Sequence, residues 1–328
     1  MPRNIIYFAE PSVEYKQALE MSIPEGFQVW HWYEMSEDEQ KSKLPLAEYF
    51  LVFTSTVNGE IIAKAKRLRL IQRTGIGVNN VDVATADSLA IPVANLPSGN
   101  GIAVAEHAML LPLALQRRLI ELNADTKAGN WPLWKYRTTS YEMDGKTHGF
   151  LGFGNIGKAT AARSRAFGTR IIYNDLCRAP EAVEHELGAS YMSKEEVLAK
   201  ADIVSLHIPY TAENKSYIGK HELSLMKKNA FLINVSRGGL VDEDALFEAL
   251  VSGKIAGAGI DTWETEPCPA TNQLFMLPNV IATAHVAAGT LDTFRKQARG
   301  SLENIVLAEK TGYPQFVVGK AKKIRLCA

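Results

Sequence analysis

The sequence predicts an α/β fold built from two successive open parallel sheets. Three observations carry this. Short apolar runs alternate with helix-period stretches along nearly all of the 328 residues, the signature of a parallel sheet covered on both faces. A long helical stretch divides those runs into two series. The second series opens with a glycine-rich turn, "GFGNIG", directly after an apolar run. With 46% hydrophobic and 22% charged residues, the chain has the composition of an ordinary globular protein, and its length allows two domains.

In the first series, strands are predicted at 4–10, 27–32, 48–55, 68–75 and 91–97, with helices at 13–21, 36–44, 59–66 and 83–90 between them. The dividing helix runs from Gly101 to Ala124, and Pro112 inside it is expected to kink it or break its hydrogen-bond ladder. Residues 127–146 are rich in aromatics and lack a clear period. They read as an exposed arm suited to a subunit contact. Strands of the second series are predicted at 147–154, 170–175, 201–208, 230–236, 255–262 and 279–285, and a last helix at Thr290–Lys310. That helix has no strand to serve in the second series, so it is expected to return to the first domain and make it discontinuous. The basic tail, 319–328, reads as a solvated, frayed end.

Charge and cysteine usage narrow the class. Lys+Arg and Asp+Glu both number 36, so the basic excess of a nucleic-acid binder is missing. No run is long and apolar enough to span a membrane, and the first apolar run ends at Glu10, unlike a secretory signal. Cys177, Cys268 and Cys327 are far apart and form no CxxC spacing. Neither a metal site nor a disulfide framework is expected, and a reduced, cytoplasmic setting fits.

"GFGNIG" places Gly152, Gly154 and Gly157 in the pattern G-x-G-x-x-G, between a predicted strand and a helix. In that context the first glycine serves a tight turn, the second the approach of a pyrophosphate, and the third close helix–strand packing. Asp175 ends the next strand, 18 residues after Gly157. An acid there holds both hydroxyls of an adenosine ribose and repels a 2′-phosphate, which points to NAD rather than NADP. Arg178 pulls the other way, since an arginine there tolerates that phosphate.

Open α/β sheets bind ligands outside the carboxyl ends of their strands. Three polar groups follow three strands of the second series: Arg237, the pair Glu264 and Glu266, and His285. Arg237 carries a permanent planar fork of donors that suits a carboxylate. Gly238 and Gly239 let the chain turn after it, and Asp242 looks like the N-cap of the next helix. His285 suits general acid–base chemistry. A carboxylate beside an imidazole favours its charged form; spacing alone does not choose between Glu264 and Glu266. Among the other histidines, His31, His185 and His221 read as surface residues, His107 as packed, His148 as the start of a strand, and His207 as lining the cofactor crevice. A cation, a carboxylate and an imidazole beside a dinucleotide favour hydride transfer to or from a 2-oxo or 2-hydroxy acid.

At this point the sequence closely resembles the D-isomer-specific 2-hydroxyacid dehydrogenases, over nearly its whole length. The ordered motifs are "RTGIGVNNVD", "VANLPSGNGIAVAEHAM", "GFGNIGKA", "LHIPYTAENKSYIGKHELSLMKKNAFLINVSRGGLVDEDAL", "GAGIDTWETEPCP" and "NVIATAHVAAGT". The resemblance implies a Rossmann nucleotide-binding domain, 101–287, inserted into a flavodoxin-like substrate domain formed by 1–100 and 288–328. It implies Arg237 as substrate anchor and His285 as acid–base, and it selects Glu266 over Glu264. Gly75, Ile76, Gly77, Val78 and Asn100 are implied to bind the substrate carboxylate from the other domain. Asp261 is implied to hold the nicotinamide carboxamide, and Asn155 and Ile156 to lie against the pyrophosphate. Val235, Ser236 and Ala287 join the cofactor set. Such proteins are commonly homodimers, joined through the nucleotide domain and its arm.

Several residues depart from the usual pattern. Ala284 stands where a proline commonly precedes the histidine, "DTW" replaces "DVF", and His148 and Phe150 occupy places of small aliphatics. None removes a catalytic group. Glyoxylate, hydroxypyruvate, pyruvate and bulkier 2-oxo acids stay open. The rival expectations are phosphite-type oxidation, and a redox-sensing NAD(H)-binding regulatory protein on the same scaffold. Formate is disfavoured, because formate dehydrogenases carry glutamine where Glu266 stands.

Overall fold

The computed structural model describes residues 2–10, 12–97 and 99–324. The chain divides into two compact units, residues 1–100 with 290–328 and residues 101–289.

The first unit is a five-stranded parallel sheet: β1 (Arg3–Phe8), β2 (Phe27–His31), β3 (Tyr49–Val52), β4 (Leu70–Arg73) and β5 (Val93–Ala94), in the order β2-β1-β3-β4-β5. That is the flavodoxin-like winding. Both faces are covered, so successive side chains of one strand enter different cores. Ile5 and Tyr7 join Leu51, Phe294, Leu302 and Ile305 on one face, and Ile6 and Phe8 join Phe50, Ile62 and Ile71 on the other. The helix Leu291–Thr311 supplies the apolar stripe of the first face and starts at Thr290, whose hydroxyl accepts from the Thr293 N–H.

In the second unit the strands are β6 (Thr147–Leu151), β7 (Arg170–Asn174), β8 (Ala189–Tyr191), β9 (Ile203–Leu206), β10 (Phe231–Asn234), β11 (Gly257–Ile260) and β12 (Val280–Ala282). They lie parallel in the order β12-β11-β10-β9-β6-β7-β8. This is the Rossmann order with one further strand at the edge, and the winding reverses between β6 and β9. Beside β6 the core is aromatic: His148 stacks on Phe150 at 4.2 Å and Phe153 on Tyr173 at 4.0 Å. His148 is fully buried, with Nδ1 2.8 Å from the Ser164 hydroxyl and Nε2 2.7 Å from that of Ser205. Burial lowers its pKa to about 3, so it is neutral.

Four sequence expectations need correction. The dividing helix passes through Pro112 unbroken as Gly101–Gln116; the break comes at Arg118, whose φ is +51°, before a second helix, Leu119–Lys127. Pro112 forfeits one ladder bond, but its turn is buried with Leu111 and Leu115 and packing holds it. His31 is buried rather than on the surface, its ring edge-on to Tyr7 at 5.8 Å. The strand β8 is unforeseen: it is short, and two of its three residues are exposed. The tail is not frayed over its described part. Lys320 and Ala321 donate backbone N–H to Asp87, and Ile324 is buried with its N–H on the Gly312 carbonyl; residues 325–328, with Cys327, lie outside the described residues.

The arm is exposed as read. Trp131 and Trp134 are 81% and 72% accessible. Lys135 and Tyr136 anchor it to Asp125 at 2.8 and 2.9 Å.

Candidate active site

The glycine turn after β6 has the shape that a pyrophosphate needs. Gly152 has φ +98°, and a Cβ there would lie 2.5 Å from the His207 carbonyl carbon, so only glycine fits. Beyond Gly154 there is open space within 4 Å, at the start of the helix Asn155–Ala166. The first N–H groups of a helix lack intrahelical partners and favour an anion. A Cβ on Gly157 would meet the Gly152 carbonyl oxygen at 2.5 Å, which keeps helix and turn in close contact. Asn155 is exposed and Ile156 half-buried at this start. Asp175, after β7, takes the Phe153 N–H on Oδ2 at 2.6 Å; its Oδ1 accepts no bond among the described residues. An open cradle, a helix start and a carboxylate oxygen left over fit the diphosphate and ribose of NAD.

Arg237, Glu266 and His285 follow β10, β11 and β12, three neighbouring strands, so the sheet brings their chain segments together on one rim. Arg237 is exposed and extended, with φ −146°. Its Nη1 donates to the Ser236 carbonyl at 2.6 Å, and it forms no ion pair among the described residues. Gly238 matters for closeness rather than for a turn: a Cβ there would lie 1.8 Å from the Trp263 carbonyl carbon. The Arg237 segment is therefore pressed against Trp263–Glu264. Asp242 caps the helix Glu243–Val251, accepting from the Ala245 N–H at 3.0 Å.

The two glutamates separate cleanly. Glu264 pairs with Lys215 at 2.9 Å. Glu266 takes the Trp263 N–H on Oε1 at 3.0 Å and lies 2.7 Å from His285 Nδ1 through Oε2. An ionised Glu266 can only accept, so in that state the Nδ1 proton fills this bond and Nε2 is left outside it. The His285 and Glu266 side chains are 43% and 39% accessible, so the pair is open to a ligand. Trp263 braces it from behind, its indole N–H donating to the Thr283 carbonyl at 2.9 Å.

His285 itself has φ +54°, an uncommon conformation for a residue with a side chain. Asp261 holds it there. Its carbonyl accepts the His285 N–H at 2.7 Å, and its buried carboxylate accepts the N–H groups of Val286 and Ala287 at 2.9 Å each and the Thr283 hydroxyl at 2.6 Å. Asp261, expected to hold the nicotinamide carboxamide, has a fully buried carboxylate taken up by these donors; nothing in the sequence signalled that role or the supports from Trp263 and Thr283, beyond the odd "DTW".

The other expected residues are placed as follows. His207 leaves β9 beside Gly152; burial lowers its pKa to about 4, and its Nε2 has no partner among the described residues. Val235 and Ala287 are buried in one apolar cluster with Val104 and Leu111. The Ser236 hydroxyl donates to the Ile208 carbonyl at 2.6 Å. In the first unit, Gly75, Ile76, Gly77 and Val78 follow β4 at its carboxyl end. Gly75 and Ile76 offer carbonyls to the Leu96 N–H at 3.1 Å and the Asn95 amide at 2.8 Å. The Oδ1 of Asn100 has no partner among the described residues.

Likeness to known proteins identifies the family. Residues 109–287 match the family model described as "D-isomer specific 2-hydroxyacid dehydrogenase, NAD binding domain". The chain is 39% identical over 272 residues to a glyoxylate reductase of Thermococcus litoralis, covering 81% of this chain and 82% of that protein. It is 38% identical over 308 residues to a D-3-phosphoglycerate dehydrogenase of Methanocaldococcus jannaschii, covering 90% of this chain and 58% of that protein. The structure of D-lactate dehydrogenase with NAD+ from Lactobacillus jensenii superposes with a TM-score of 0.84 at 29% identity, over 97% of this chain and all (100%) of that one. A parallel sheet with a glycine cradle at its switch point, a rim of three polar strand ends and these likenesses lead to one conclusion: the chain belongs to the D-isomer specific 2-hydroxyacid dehydrogenases.

Proposed function

We propose that Arg237, Glu266 and His285 carry out the NAD-dependent interconversion of a small 2-oxo acid and its D-2-hydroxy acid, with glyoxylate the first substrate to try. The observation that carries this reading is the 2.7 Å bond between Glu266 and His285 Nδ1, on the rim that also bears an arginine fork without an acid partner among the described residues. The Arg237 fork binds the substrate carboxylate and polarises the adjacent carbonyl. Glu266 fixes the imidazole, so that protonated Nε2 of His285 gives its proton to the carbonyl oxygen and recovers it in the reverse direction. Bound NAD supplies the hydride acceptor or donor. Asp261 and Trp263 keep the pair in place, so little reorganisation is needed as charge develops.

The wider assignment follows the same reading. Residues 101–287 bind NAD, and 1–100 with 288–328 bind the substrate, through the Gly75–Val78 loop and Asn100. Exposed Trp131 and Trp134 support a homodimer through the arm of the nucleotide-binding domain. The partners are a small acid and NAD, with neither nucleic acid nor membrane; no helix among the described residues is long and apolar enough to cross one. Free Cys177 and Cys268 support a cytoplasmic setting. The glyoxylate reductases among the relatives favour a small acid. The test is NADH oxidation with glyoxylate, hydroxypyruvate, pyruvate and a branched 2-oxo acid. Turnover fastest with glyoxylate or hydroxypyruvate is expected. NADH binding without turnover of any of them would overturn the reading in favour of a regulatory protein.

A further inference from the structure

The carboxyl end of β7 carries contradictory signals. Asp175 repels a 2′-phosphate, whereas an arginine three residues later is the kind of group that accommodates one. The structure shows what becomes of that arginine. Arg178 Nε and Nη2 donate to Oε1 and Oε2 of Glu184 at 3.0 and 2.8 Å, a bidentate pair. Glu184 is in turn fixed from the protein side. The Tyr173 hydroxyl donates to its Oε1 at 2.6 Å and accepts the Ala179 N–H at 2.8 Å. Tyr173 is fully buried, and its ring stacks at 4.0 Å on Phe153, the residue inside the glycine turn. The carboxylate is thus bolted to the nucleotide-binding core, and it holds the arginine by the two adjacent donors that a phosphate would use.

From this we infer that Glu184 is a specificity-determining residue, which withholds Arg178 from the 2′-phosphate of NADP and so completes the discrimination begun by Asp175. With Glu184 in place, an incoming 2′-phosphate meets two carboxylates and one guanidinium that is already engaged. Without that charge, Arg178 is a mobile cation next to the ribose. Arg178 first, and the Tyr173 hydroxyl second, hold the Glu184 carboxyl down to about 2, so the clamp stays closed at any working pH.

The test measures dissociation constants of NADH and NADPH on the full chain, by quenching of protein fluorescence, for four proteins: the wild type, Glu184→Gln, Arg178→Ala and the double variant. Glutamine keeps an acceptor for Tyr173 and loses the charge. Glu184→Gln is expected to tighten NADPH about tenfold, equivalent to ~1.4 kcal/mol, with NADH within about twofold. The double variant should lose that gain. Arg178→Ala alone should not tighten NADPH, because it removes a cation that is already engaged and leaves Glu184 charged. An unchanged NADPH-to-NADH ratio in Glu184→Gln, or equal weakening of both, overturns the inference. If Glu184→Gln does not fold, Glu184→Ala takes its place, with the same tightening of NADPH expected and an unchanged NADPH-to-NADH ratio again overturning the inference. Neither measurement depends on which 2-oxo acid is the substrate.

Discussion

The sheet of the first unit gathers charged side chains at the amino ends of its strands; that of the second pairs Asp202 with Lys227 there too, at 2.8 Å, but also presents charge at its carboxyl ends. In the first, Arg3 opens β1, Glu48 precedes β3 and Tyr49 opens it, and Arg69 precedes β4. Arg3 bonds Glu48 at 2.6 Å and Glu309 at 2.7 Å, and Glu309 also takes Arg69 and the Tyr49 hydroxyl. Arg69 is only 6% accessible. Burial pushes the Glu309 carboxyl up, but the Tyr49 hydroxyl and the two guanidinium charges outweigh it and hold the carboxyl below its ordinary range. In the second unit, Arg237 has no acid partner among the described residues, and the Glu266–His285 pair is open. Matched and enclosed charge ties a terminal helix to its sheet. At the carboxyl ends, an arginine without an acid partner among the described residues and a Glu–His pair are left accessible.

Three experiments press on this contrast. The largest effect is expected from His285→Ala, which should lose ~10²–10⁴-fold in turnover while the denaturation midpoint stays put; full activity would refute the acid–base role. Next is Glu309→Ala. It leaves Arg69 buried without its closest acid, and should cost about 2–4 kcal/mol of stability, read from the urea midpoint, with NADH affinity unchanged. A silent substitution would show that the amino-end cluster is not structural. The smallest effect distinguishes imidazoles within the second unit. His148 and His207 are neutral in the fold, at about 3 and about 4, below the ~6.5 of a free imidazole. The unfolded chain therefore binds protons that the native one refuses. Stability is full above about pH 6.5 and falls as the pH drops towards the folded values, by at most ~1.4 kcal/mol per pH unit for each imidazole. His148→Leu should flatten that slope between about pH 6 and about pH 4, and an unaltered slope would contradict the burial argument.

Patterning revealed the sheets because strands enclosed on both faces are written as unbroken apolar runs, such as "YFLV" and "AFLI". It missed β8, which is mostly exposed and pairs with β7 alone. Packing carries the helix through Pro112 at the loss of one ladder bond, and Arg118 ends it with a backbone conformation that its residue type does not announce. At the rim, the residue types and their places after strands pointed to Arg237 and His285. Spacing left Glu264 and Glu266 tied; the resemblance selected Glu266, and the structure pairs Glu264 with Lys215 and Glu266 with His285. Supports made through the backbone, like those of Asp261, leave no periodic trace. Neither does a clamp such as Arg178–Glu184, whose partners are six positions apart across a turn.

The positive φ of His285 sets two demands against each other at a single codon. Glycine tolerates that conformation with the least strain, whereas the proposed proton donor needs a ring. Any campaign that selects only for heat resistance has reason to keep rediscovering glycine here, and each such winner would be a sturdier protein stripped of its acid.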